Sequence, residues 1–293
     1  MPRACLALAL VITVACGGGK AQPRQTDDDD GGDDALFADR ADFKPRSFIA
    51  HVSGKGRPVI FIPGLGCPGD VWQTTVDHLG DSVQSHVLTL AGFAGAPPIK
   101  PPLAAKVRKE LVRYIRSHKL VRPIVVGHSM GGFIAYWLAA TAPDLVGGIV
   151  VVDAGPALSA DAEEARLLRN AWAQSGDAEL PEQVRTIYSM MTVDPKRMAP
   201  FIDSIAKSDR QTIGDAIYEL VKTDITDQLA AITAPALIVL ADGGLQRRYK
   251  AQTVAIKDRE IVVLPKTRHF VMFDDPDGFS RVLEKFLAAH SPG

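Results

Sequence analysis

Cysteine is scarce in this chain. Its 293 residues hold three, Cys5, Cys16 and Cys67, too few for a disulfide framework to organise the fold. Charge of one sign is not in excess either, since 33 basic residues stand against 34 acidic ones. The Lys and Arg residues are scattered, with no basic stripe interleaved with aromatics, which speaks against nucleic acid as a partner. The densest basic stretch, AKVRKELVRYIRSHK, places Val107, Leu111 and Ile115 on one helical face, so its charges read as the solvated side of a surface helix. No paired His/Glu motif offers zinc ligands. GGGK at Gly17 lacks the preceding strand and following helix of a nucleotide site, so neither a metal nor any other cofactor is implied. No internal repeat is found. The apolar run from Leu6 to Ala15 is too short to span a bilayer stably.

What the N-terminus does have fits export. MPRACLALALVITVACGGGK starts with Arg3, continues through that apolar run and reaches Cys16, the layout of a secretory signal over residues 1–15. Val14 and Ala15 before Cys16 resemble a bacterial lipoprotein cleavage site, although Thr13 stands where Leu is usual. On that resemblance Cys16 becomes the lipidated end of the mature chain, tethering it to a membrane of the bacterial cell envelope. Plain cleavage nearby, without lipid, is the alternative. Residues 16–46, rich in Asp and Gly, contain too little apolar surface to fold and read as a flexible tether. The acidic run matches no ordered calcium loop in its spacing. If Cys5 leaves with the signal and Cys16 is acylated, Cys67 is the only free thiol and no disulfide forms within the chain.

Over residues 47–293 short apolar runs alternate with amphipathic helical patterns. RPVIFIPG, SHVLTLAG, RPIVVGHS, GGIVVVDAGP, PALIVLAD and REIVVLPK are dominated by Val, Ile and Leu without polar alternation, as strands buried on both faces require. Helical patterns between most of them predict an α/β fold: a mostly parallel central sheet with right-handed crossovers and helices on both faces. SFIAHVSG offers a further edge strand. One connection, about 156–228, is helical in character and far longer than the dozen or so residues a crossover needs. It is expected to be an inserted lid. Met190 and Met191 within it either face a pocket, since Met adapts to irregular apolar ligands, or pack the lid on the core.

The chemistry concentrates in VVGHSMGG. Gly127-His128-Ser129-Met130-Gly131 is G-x-S-x-G between a strand and a helical stretch, the context of a nucleophile elbow. The tight turn lifts the Ser129 hydroxyl clear of the backbone, Gly127 and Gly131 let strand and helix approach, and the helix N-terminus faces developing negative charge. A Ser hydroxyl is a poor nucleophile at neutral pH, so a base must take its proton. Histidine suits that exchange, and an acid must orient the imidazole and stabilise it when charged.

With the elbow in place, the chain from Arg57 to Ala289 resembles the α/β-hydrolase superfamily. FIPGLGCPGDVW resembles the family's oxyanion loop, with Pro63 where His is more usual before Gly64. The match implies that the backbone N–H groups of Leu65 and Met130 stabilise the oxyanion. Cys67, in the same loop, has no base beside it and reads as a small buried residue. KTRHFVMFDDPDGF matches the loop that carries the family's base, implying His269 in that role, with Asp275-Pro276 starting the last helix. His128 is commonly filled in such elbows and is expected to project away from the reaction. The acid stays open. In most of the family it follows the strand ALIVLA in a G-x-x-D pattern, but Gly244 occupies that place here, leaving Asp242 two residues early. Some branches take the acid from the end of the strand after the elbow, which here is Asp153, and Asp153 is preferred.

The resemblance implies a serine hydrolase cleaving a small ester or related acyl compound. Ser at the elbow argues against the haloalkane dehalogenase and epoxide hydrolase branches, which need a carboxylate there. Lactonase, carbon–carbon hydrolase and aminopeptidase share the same constellation. A non-catalytic binding protein on the same scaffold is a separate reading, licensed by the missing acid at Gly244. A purely structural cell-surface protein leaves elbow and His loop unexplained.

Overall fold

A computed structural model describes residues 43–158, 162–176 and 180–290. The signal expected over 1–15, the lipidation expected at Cys16 and most of the tether expected over 16–46 lie outside the described residues. The last four tether residues depart from expectation: Phe43 lies under the Arg113 guanidinium and the Arg46 N–H donates to Glu110 at 2.8 Å, so the chain is already held to the body before residue 47. All seven strand-like runs form strands: β1 (Phe48–Gly54), β2 (Arg57–Ile62), β3 (Val83–Leu90), β4 (Ile124–His128), β5 (Gly148–Val152), β6 (Ala236–Ala241) and β7 (Arg259–Leu264). They make one sheet in the order β1-β3-β2-β4-β5-β6-β7. Every neighbouring pair is parallel except β1 with β3. Each residue of β4, β5 and β6 is buried, which is why these strands carry no polar alternation. The edge strand β1 mixes buried Phe48 with exposed positions.

Helices cover the sheet. They are α1 (Gln73–Leu79), α2 (Leu103–Ser117), α3 (Met130–Thr141), α8 (Gln246–Gln252), α9 (Val271–Asp274) and α10 (Pro276–Ala289). The helix after the elbow, α3, is apolar almost all round and packs against β4, β5 and α2. A helix of that composition is stable only when enclosed. In α2 the expected face, Val107, Leu111 and Ile115, is buried. Asp275 caps α10 by accepting the Gly278 N–H at 2.9 Å, with Pro276 in the first turn.

Four further helices lie between β5 and β6: α4 (Ala162–Ala173), α5 (Leu180–Met190), α6 (Pro195–Ile205) and α7 (Arg210–Lys222). They pair α4 with α7 and α5 with α6. Asp194 and Asp209 cap α6 and α7 through the N–H groups of Lys196 and Thr212. One buried carboxylate ties this insertion to the body. Glu219 of α7 accepts the N–H groups of Ala104 and Ala105, each at 2.9 Å, and so caps α2 from outside its own sequence. Burial pushes the Glu219 carboxyl above its ordinary pKa, while those backbone donors pull the other way. No helix among the described residues is long and apolar enough to cross a membrane.

Candidate active site

Register brings the chemistry together. His128 at the end of β4 lies beside Val152 at the end of β5, and Val152 lies beside Val239 of β6. Ser129 and Asp153 therefore leave the sheet side by side, at the carboxyl edge where open α/β sheets build their sites. The Ser129 N–H donates to Val152 O at 3.0 Å and the Asp153 N–H to Val239 O at 2.8 Å. Both residues sit at positive φ, +54° for Ser129 and +46° for Asp153. Such a backbone costs about 1–3 kcal/mol per residue and persists only where the surroundings over-determine it. At the elbow the cause is visible. A Cβ on Gly127 would lie 2.2 Å from Gly131 O, and one on Gly131 would lie 2.2 Å from Ile62 O. Strand and helix meet too closely for any side chain at either position.

His269 follows β7 in a loop that the lid grips. Its Nδ1 is 2.7 Å from Asp153 Oδ2, and Asp153 Oδ1 accepts the Ala241 N–H at 3.1 Å. A carboxylate only accepts, so Nδ1 carries the hydrogen and Nε2 is left as the basic nitrogen. Both side chains are buried, which strengthens the pairing. The other candidate acid is elsewhere. Asp242 is exposed, and its carboxylate meets the Lys266 N–H at a long 3.4 Å. Strand β6 runs through Ala241, whose N–H is spent on Asp153, so Asp242 already stands in the turn beyond and is not brought to His269.

Ser129 and His269 line one small cavity with Gly64, Leu65, Cys67, His128, Tyr188, Met191 and Phe270. Leu65 thus lines the same cavity as Ser129, and Met130 opens α3 directly after Ser129. The first N–H groups of a helix have no partner within it, leaving the Met130 amide available to an anion. Of the two methionines, Met191 lines the cavity and Met190 is 55 % exposed. Burial pushes the Cys67 thiol far above its ordinary pKa, so it is not a thiolate nucleophile.

His128 departs from expectation. Instead of projecting away, its ring lies 4.6 Å from that of His269, and its Nε2–H donates to the His269 carbonyl at 2.9 Å. Its Nδ1 is buried without a hydrogen-bond partner. Burial first, and then the charge of His269, holds His128 well below the ordinary imidazole pKa against the opposing pull of that carbonyl. A neutral imidazole therefore braces the loop of His269 without placing a like charge beside it.

Several residues here carry no motif. Asp274 ties the His269 loop to the lid, accepting the N–H groups of Val193 at 2.9 Å and Arg268 at 2.7 Å. Tyr188 and Ser208 reach from the insertion to the carbonyls of Leu65 and Gly66. Each is an ordinary polar residue on or beside an amphipathic helix, and only the folded chain reveals its partner.

The profile of the alpha/beta hydrolase family matches residues 59–282. The pimeloyl-[acyl-carrier protein] methyl ester esterase of Vibrio vulnificus strain YJ016 is 23% identical over 249 residues, spanning 80% of this chain and 96% of that one. A putative carbamate hydrolase RutD of Serratia proteamaculans strain 568 is 23% identical over 252 residues, covering 81% and 94%. Among solved structures, a thermophilic esterase from Thermogutta terrifontis superimposes with a TM-score of 0.74 at 20% identity, over 83% of this chain and 94% of that one. With the elbow, the buried His and the parallel sheet already in view, the chain belongs to the alpha/beta hydrolase family.

Proposed function

We propose that the protein is a serine hydrolase that cleaves a small ester or related acyl compound through an acyl-enzyme. The observation that carries this reading is the buried 2.7 Å contact between His269 Nδ1 and Asp153 Oδ2, in a cavity that Ser129 also lines. In this mechanism Nε2 of His269 takes the Ser129 proton as Oγ attacks the acyl carbonyl, and Asp153 stabilises the imidazolium that forms. The Leu65 and Met130 amides bind the developing oxyanion. His269 returns the proton to the leaving alkoxide, then activates the water that releases the acid and frees Ser129. The methyl ester esterase and the carbamate hydrolase similar to this chain act on carbonyl compounds by name, which agrees with this reading. The binding-protein reading drew its support from the missing acid at Gly244, and the carboxylate of Asp153 at His269 weighs in favour of the hydrolase reading. A fluorophosphonate should label the wild type and leave Ser129→Ala untouched, and esters of increasing acyl length should define the substrate. An intact protein whose Ser129 resists labelling is not a serine hydrolase.

We propose further that Cys16 is acylated after removal of the signal and holds the enzyme at the cell envelope. The support is the sequence MPRACLALALVITVAC alone. A single acyl chain binds membranes weakly, whereas a processed lipoprotein with several chains anchors firmly. Cys16→Ser should therefore release the protein from the membrane fraction. Retention of the variant, with no lipid on the wild type, rules the anchor out.

A further inference from the structure

The loop that carries Leu65 is a turn with unusual supports. Cys67 N–H closes Gly64–Cys67 onto Gly64 O at 3.1 Å, with Gly66 at φ +69°. The next two carbonyls are both taken by hydroxyls of the insertion. Tyr188 of α5 donates to Leu65 O at 2.5 Å, and Ser208, just ahead of α7, donates to Gly66 O at 3.1 Å. The Ser208 oxygen also accepts the Ala94 N–H at 2.9 Å, which commits its hydrogen to Gly66. Burial pushes the Tyr188 phenol well above its ordinary pKa, so it remains a donor. Each carbonyl from Gly64 to Gly66 therefore has a partner. The Leu65 N–H has none among the described residues.

We propose that Tyr188 and Ser208 are positioning residues that hold the Leu65 amide ready for the oxyanion, so that closing the lid and completing the oxyanion site are one event. This rests on the hydrolase reading above. A four-residue turn with one internal bond can tilt or flip its peptides, and an amide moved by a fraction of an ångström no longer meets the developing charge. Two hydroxyls from separate parts of the lid remove that freedom. The cavity at Ser129 has about 20 Å³ open to a water-sized sphere, room for roughly one water molecule. Tyr188 and Met191 of the insertion form part of its wall, so on this proposal an ester is admitted as the lid shifts. Lifting α5 withdraws the Tyr188 hydroxyl from Leu65, and closing it over the substrate restores the bond. The oxyanion site is then complete only with water shut out.

The test uses the full chain with Tyr188→Phe, Ser208→Ala and both together, each first checked for an intact thermal transition. Two readouts are needed: steady-state hydrolysis of a small activated ester such as p-nitrophenyl acetate, and hydrogen–deuterium exchange of the Gly64–Cys67 segment. Deleting one oxyanion donor costs about 10²–10³ in kcat. Loosening a donor should cost less, so each single variant is expected to lower kcat about 10- to 100-fold, with KM nearly unchanged and the Cys67 amide exchanging faster. A raised KM with unchanged kcat overturns the proposal, because Tyr188 then only lines the substrate cavity. Unchanged exchange in both variants overturns it on its own, whatever the kinetics. If the wild type neither hydrolyses the ester nor takes a fluorophosphonate, the hydrolase reading has failed. With that result, faster exchange in the variants retains the latch as a contact between lid and turn.

Discussion

At the scale of single residues, the carboxylate that meets His269 is where this chain parts from the commoner pattern of its family. The turn after β6 has Gly244 where an aspartate is usual, and the carboxylate reaches His269 from the neighbouring strand end instead. Asp153 is held from two sides, by its own N–H on Val239 O and by the Ala241 N–H on Oδ1, so Oδ2 is presented to the imidazole in one orientation. Asp153→Asn leaves these supports in place but offers His269 an amide that cannot act as a charged acceptor. It should reduce kcat by roughly 10⁴, about 5 kcal/mol, without unfolding the protein. Asp242→Asn changes an exposed carboxylate with one long contact and should leave kcat nearly unchanged, with stability inside the roughly ±0.5 kcal/mol usual for surface substitutions. Steady-state kinetics of both variants, beside their melting curves, decides the assignment. A crippled Asp242→Asn would place the acid in the turn after β6.

At the scale of elements, most of the architecture was legible before folding and the lid's work was not. Buried parallel strands leave an unmistakable trace, because both faces demand Val, Ile and Leu, and β4, β5 and β6 are recognisable from that alone. The elbow was legible for a steric reason: Gly127 and Gly131 are forced by backbone atoms 2.2 Å from where a Cβ would stand. The identity of the acid was not legible to the same degree. Asp153 and Asp242 both end strands in the sequence, and only the register of β5 against β6 decides which carboxylate meets His269. The orientation of His128 escaped as well, since its partner, the His269 carbonyl, lies 141 residues away. Tyr188, Ser208, Asp274 and Glu219 share this property. Each makes polar contacts across the join between lid and body, and contacts of that kind leave no periodicity. The insertion was foreseen as a mass of helix, whereas its grip on the Gly64–Cys67 turn, the His269 loop and α2 depends on side chains that look like any helix surface.

At the scale of the whole molecule, acid should weaken the fold through buried neutral histidine. His86 of β3 is 2 % exposed and lies between the first strands and α2. Its Nε2 meets Gln84 Oε1 at 3.1 Å, which makes Nε2 the donor, and Nδ1 accepts from the Tyr114 hydroxyl at 2.8 Å. Tyr114 in turn packs edge-on against Phe48 of β1, so one imidazole links β3, α2 and the edge of the sheet. Burial first, and then the nearby His118, lowers its pKa to about 4. The sign follows from linkage. Above pH ~6.5 both folded and unfolded chains hold His86 neutral and nothing is lost. As pH falls through 6.5 the unfolded chain takes up a proton that the fold refuses, and stability drops until about pH 4, below which both states are charged. At about 1.4 kcal/mol per pH unit the loss is bounded near 3.5 kcal/mol. His128, lowered in the same direction, adds to it. His86→Gln gives up the packed imidazole and its bond to the Tyr114 hydroxyl, so it should be less stable than the wild type at pH 7, and because it also lacks this proton linkage the gap should narrow steadily toward pH 4.5. Urea midpoints of the two proteins measured across that range provide the check, and a gap that stays constant with pH would show that His86 takes no part in the acid response.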